Sequence, residues 1–208
     1  MIARSLIHTV TAFLFVACSH GSGTPALAPA ATPTPAATPA VAPVSPTQSM
    51  VEPMAKLSFM RGVWRGQATG RNPDGSSYAV TQTERMGPML GGDIIVIEGR
   101  GYKDDGSTGF NAFAVVSWNA HAQKYELRSY AQGQSGTFDL VPTADGYVWE
   151  IPAGPNATIK YTATVKDNHW REVGEYVAGD QPPAKIFEMN LERVGDTDWP
   201  LGTPVPPR

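Results

Sequence analysis

Four carboxylates of this chain stand among aromatic and aliphatic residues in stretches that read as strands. Glu150 lies in Val148-Trp149-Glu150-Ile151, Glu172 and Glu175 lie between Trp170 and Tyr176, and Glu188 lies between Phe187 and Met189. Two carboxyls meeting in an apolar enclosure push one pKa upward, which makes one group an acid and leaves the other a base. Glu172 and Glu175 are an odd number of residues apart, so a regular strand points them to opposite faces unless Gly174 marks a bulge. In the competing arrangement these glutamates pair with Arg128, Lys160, Arg171 or Lys185 on an outer face.

A second constellation is built for binding. Arg128 and Tyr130 share one face of the stretch 124–132, and Trp149, Tyr161 and Tyr176 add aromatic wall. A guanidinium fork in an aromatic enclosure takes the carboxylate or phosphate head of an amphiphile. The expected ligand-binding residues are therefore Arg128, Tyr130, Trp149 and Tyr161. Nucleophile chemistry is not visible: there is no Gly-x-Ser-x-Gly turn, and Ser117, Ser129 and Ser135 have no triad signature around them. His121 and His169 are isolated, without the spacing of a metal site. No catalytic residue, metal or cofactor is expected.

The elements that would position these groups are strands. Turn signals recur roughly every dozen residues, among them Asn72-Pro73-Asp74-Gly75, Asp104-Asp105-Gly106, Asp145-Gly146 and Asp167-Asn168. Between them lie runs rich in Val, Ile, Thr, Tyr, Phe and Trp, which place ten strands at 62–70, 78–86, 93–102, 109–118, 123–132, 136–141, 146–151, 157–166, 169–178 and 184–194. Met54, Leu57 and Met60 form one apolar face of a short helix, with Pro53 in its first turn and Gly62 after its end. A meander of this length curls and closes, because closure removes exposed edges. The fold class expected is all-β: a closed antiparallel up-and-down barrel with a short N-terminal helix. Alternation gives that barrel an inside, with Phe187, Met189 and Leu191 on one face of the last strand and Glu188, Asn190 and Glu192 on the other.

The net charge is −3 and the domain has no basic cluster, which argues against a nucleic-acid partner. The single cysteine, Cys18, ends a short apolar run behind Arg4. Phe15-Val16-Ala17-Cys18 resembles the lipobox of bacterial lipoproteins. That resemblance implies cleavage before Cys18, acylation of Cys18, and, with Ser19 following, sorting to the outer membrane facing the periplasm. More than one acyl chain gives firm membrane anchoring. Residues 19–50 are rich in Ala, Pro and Thr and read as a disordered tether. The domain plan is thus a lipoprotein signal at 1–18, a tether at 19–50, a barrel at 51–196 and a Pro-rich tail at 197–208.

Gly62-Val63-Trp64 opens the first strand and Arg193 ends the last. The pair resembles the signature of the calycin superfamily, where the arginine packs across the indole and closes the barrel. The resemblance implies that Trp64 and Arg193 are stabilising residues. LSFMRGVWRG, MGPMLGG, FNAFAVVSWNAHAQKYELRSYA, GYVWE, HWREVGEY and KIFEMNLER resemble a bacterial family of secreted ten-stranded barrels of unknown function. Related nitrobindin-like barrels carry a haem-ligating histidine near the cavity, whereas His121 and His169 here sit at or beside turns. The function expected is binding of a small apolar or amphiphilic ligand by an envelope lipoprotein. The alternatives are an assembly protein with a filled barrel and an outer partner-binding face, and a carboxylate-dependent isomerase or hydrolase.

Overall fold

Pro53 lies within α1 (Val51–Ala55), where a missing N–H costs a helix nothing in its first turn, and a 3-10 turn over Ser58–Met60 follows. The computed structural model describes residues 50–72 and 74–201; Cys18, the signal, the tether and the end of the tail lie outside the described residues. The expected single helix is thus two short turns of different pitch. Met54, Leu57 and Met60 nevertheless converge and are fully buried.

After Gly62 the chain is strand: β1 (Gly62–Arg71), β2 (Ser77–Met89), β3 (Ile94–Tyr102), β4 (Thr108–Asn119), β5 (Lys124–Ala131), β6 (Gln134–Pro142), β7 (Gly146–Pro152), β8 (Ala157–Lys166), β9 (His169–Ala178) and β10 (Ala184–Gly195). Each strand pairs antiparallel with its sequence neighbours, and β1 pairs with β10, so the ten strands form a closed up-and-down barrel. Two of the connections have two residues, Gln132-Gly133 and Asp167-Asn168, with positive φ at both positions. That backbone follows the right-handed twist of the flanking strands, and Gly and Asn adopt it most readily.

Closure rests on β1 and β10. Trp64 is the Cα partner of Arg193, Gly66 of Leu191 and Ala68 of Met189. A Cβ on Gly66 would run into the carbonyl oxygen of Asn190, so glycine is what lets these two strands approach. Trp64 is buried, packs edge-on against Trp170 at 5.8 Å, and donates its indole N–H to the Met60 carbonyl at 3.0 Å. The Tyr125 hydroxyl donates to the Pro53 carbonyl at 2.7 Å. These bonds fasten the N-terminal segment across one end of the barrel, where Met54 and Leu57 plug it. The other end is formed by the loops that follow β1, β3, β5, β7 and β9.

Candidate functional site

The inward face of each strand follows from its apolar alternation. On β8 it is Ile159, Tyr161, Ala163 and Val165; on β9 it is Trp170, Glu172 and Gly174; on β7 it includes Tyr147 and Trp149. These faces enclose a cavity of about 710 Å³, within the usual range of small-molecule sites. Met60 forms part of its floor, and Asn72, Lys103 and Gln132 stand at the open rim.

One wall is aromatic. Trp149 and Tyr161 are cross-strand partners with rings stacked at 4.5 Å and 14°, and Phe187 meets Tyr161 edge-on at 6.0 Å. Gly174 makes room for this wall: a Cβ there would lie 2.8 Å from a Tyr161 ring carbon. Burial, with the charge of Glu172 second, pushes the Tyr161 hydroxyl up to about 12.

The polar part of the lumen is acidic. Glu172 is buried and accepts hydrogen bonds from the Tyr147 hydroxyl at 3.0 Å and from Trp149 Nε1 at 3.3 Å. Burial raises its pKa, and these donors pull it part of the way back. Trp170 Nε1 also lies near enough to favour ionised Glu172, but it makes no hydrogen bond of good geometry and remains a buried donor without a partner. Burial, and after it the charge of Glu172, lifts the Tyr147 hydroxyl well above its ordinary value. Glu84 on β2 lines the same cavity and accepts from Gln82 Nε2 at 2.7 Å. Burial pushes its carboxyl up to about 8; the Gln82 bond opposes this, and the charge of Glu172 adds to it.

Room for Glu84 comes from β3, where its cross-strand partner is Gly99. A Cβ on Gly99 would lie 2.5 Å from Glu84 Oε1. Gln82 is buried opposite Gly101 on one side and Gly66 on the other. Glycines flanking two inward polar side chains clear space that larger residues would fill.

Of the residues expected at the site, Trp149 and Tyr161 line the cavity together. The placement of Arg128 and Tyr130 is corrected. Both stand outside the barrel, Arg128 with a side chain 62% exposed and Tyr130 53% exposed. The reason is the pleat of β5: Tyr125 and Leu127 are buried, which sends Ser129 and Ala131 inward and the alternate residues outward. Arg128 lies 3.9 Å from Glu126 on that outer face.

The glutamates divide in the same way. Glu188 lies outside, bonded to Arg171 at 2.8 Å and Lys185 at 2.6 Å, and those two cations hold its carboxyl down to about 2. Glu150 and Glu175 stand opposite Lys160 in the β7–β8 and β8–β9 ladders and line no part of the cavity. Glu84 and Gln82 were missed in the sequence. Their signal was present: Val80, Gln82, Glu84 and Met86 alternate on one face of β2, so two polar residues sit in register with buried apolar ones. His121 and His169 are exposed and do not line the cavity, so the described barrel offers no inward imidazole to a haem iron.

No protein family and no curated protein matches the chain. Among solved structures, the crystal structure of Rv2717c from M. tuberculosis is similar, with a TM-score of 0.52 at 13% identity over 67% of this chain and 96% of that one. At that identity the likeness is one of fold: a ten-stranded closed antiparallel barrel.

Proposed function

We propose that this protein is a binding module whose barrel lumen holds a small apolar or amphiphilic molecule. The observation that carries the reading is the cavity of about 710 Å³, walled by the Trp149–Tyr161 stack and open at one end. A barrel serving only as a scaffold would fill that space with its own side chains, and the glycines beside Gln82, Glu84 and Tyr161 do the reverse. Trp64 paired with Arg193 at the closing seam supports a calycin-like kinship for such a binder. The Phe15-Val16-Ala17-Cys18 resemblance supports placing it in the bacterial envelope, lipid-anchored at Cys18 and facing the periplasm.

The test is titration of the purified full-length chain with a neutral naphthylamine dye. The expected result is micromolar binding with quenching of tryptophan fluorescence, weakened at least tenfold by Tyr161→Ala. Absence of any saturable binding would refute the reading. A second reading, acid–base catalysis, is favoured by one specific observation: Glu84 and the hydrogen-bonded Glu172 face one cavity with different environments.

A further inference from the structure

The lumen has a charge imbalance. Glu84 and Glu172 both face it, Tyr78, Tyr147 and Tyr161 add three phenols to its lining, and no guanidinium or imidazole lines it. Among the described residues that line the cavity, Lys103 alone is cationic, and it is exposed at the open rim beyond the aromatic wall. Arg193 borders Trp64 at the plugged end and is bonded to Asp196. Arg85 and Arg100 bond Glu98 on the outer side of β2 and β3. None of these arginines lines the cavity.

A carboxylate offers about four acceptor positions. Glu172 uses two of them and Glu84 one in hydrogen bonds with lumen side chains. Buried anions without a counter-ion are strongly unfavourable, and a cation that brings its own N–H donors relieves the deficit. The Trp149 and Tyr161 rings lie beside this acidic end, and an ammonium is also attracted to such ring faces. A carboxylate or phosphate head, in contrast, would bring a further anionic group against these two carboxyls and oppose ionisation of either.

We propose that the ligand of this lumen carries a protonated amine, seated against Glu84 and Glu172, with its apolar part along Trp149, Tyr161 and Phe187. This deepens, and rests on, the reading of the barrel as a binding module. Seating an ammonium beside Glu84 favours its ionised form, so binding near neutral pH expels a proton from that carboxyl to the solvent.

The experiment compares three probes of equal chain length, decylamine, decanol and decanoate, on the full-length chain by calorimetry at pH 7. Each titration is run in two buffers of different ionisation enthalpy. The expected result is at least tenfold tighter binding of decylamine than of decanol, weaker binding still of decanoate, and proton release with decylamine alone. Glu84→Gln should abolish the proton release, and Glu172→Gln should erase the preference for the amine. The wild-type buffer comparison needs no variant, so a variant that fails to fold leaves the test intact. If decanol or decanoate binds as well as decylamine, the binding module stands and the amine assignment falls. If none of the three binds, both fall together.

Discussion

Glu84 on β2 faces Gly99 on β3, and the space a methyl group would take at Gly99 is occupied by the Glu84 carboxylate, 2.5 Å away. The obstruction is the far end of a side chain with rotamer freedom. At Gly66, by contrast, the obstruction is the backbone carbonyl of Asn190.

These two glycines therefore predict different outcomes for one kind of substitution. Gly99→Ala should cost under about 1 kcal/mol, because Glu84 can turn aside, yet it should weaken ligand binding by displacing that carboxyl. Gly66→Ala should cost about 2–3 kcal/mol, because two strands must part. Urea denaturation of both variants, with dye titration of Gly99→Ala, checks the contrast. Equal destabilisation would show that the β1–β10 seam is not the tighter one.

Trp64 packs against Trp170 and bonds Met60, so it links the closing seam to the N-terminal plug. Trp64→Ala should cost about 3–5 kcal/mol, and Leu57→Ala, at the fully buried centre of the plug, about 2–5 kcal/mol. Thermal or urea unfolding measures both. If Leu57→Ala unfolds at the wild-type denaturant concentration, the plug is not part of the cooperative unit.

The fold was legible because its signals are local. Turn residues such as those at 167–168 and period-two alternation mark the strands to within two or three residues of where they lie. The site was only half legible, for two physical reasons. A strand's facing depends on its more buried alternate set, and on β5 the inward set of Tyr125, Leu127, Ser129 and Ala131 mixes large apolar with small residues, while Arg128 and Tyr130 look more functional. The acidic pair also joins β2 to β9, far apart in sequence. Only closure of the sheet brings Glu84 within electrostatic reach of Glu172.

Acylation at Cys18 is tested apart from the barrel. With the thiol intact, intact-mass analysis of protein from a bacterial envelope should show a lipid-bearing N-terminus at Cys18. Cys18→Ser should lose that mass and leave the signal uncleaved by the lipoprotein signal peptidase. An unmodified, water-soluble wild-type form would reject the anchor.

The Tyr147 hydroxyl is a donor to Glu172 at 3.0 Å, and it favours the ionised carboxylate. Tyr147→Phe should raise the Glu172 pKa further. A hydrogen bond to a charged group contributes about 1.5–3 kcal/mol. That loss should be felt above the Glu172 pKa, where the carboxylate exists, and fade in acid, where the group is neutral. Urea denaturation over a pH series from acid to alkaline separates the two cases, and a loss independent of pH would assign the effect to packing of the ring.

Glu84 has the opposite sign. Its folded pKa, about 8, lies above its ordinary value of 4.5. Below pH 4.5 the group is protonated whether the chain is folded or not, so it carries no penalty there. As pH rises from 4.5 to about 8 the unfolded chain ionises freely and the folded one does not, and stability falls across that window. At ~1.4 kcal/mol per pKa unit the full effect is on the order of 5 kcal/mol, an upper bound because the lumen admits water. Glu188, held to about 2 by Arg171 and Lys185, acts in reverse: its contribution is present above 4.5 and is lost as pH falls toward 2. Stability should therefore peak at mildly acidic pH. Glu84→Gln removes the alkaline arm alone: it should match the wild type near pH 4.5 and exceed it by several kcal/mol at pH 8. Urea midpoints at both values decide the matter, and a variant no more stable than wild type at pH 8 would mean that Glu84 is already ionised in the folded protein.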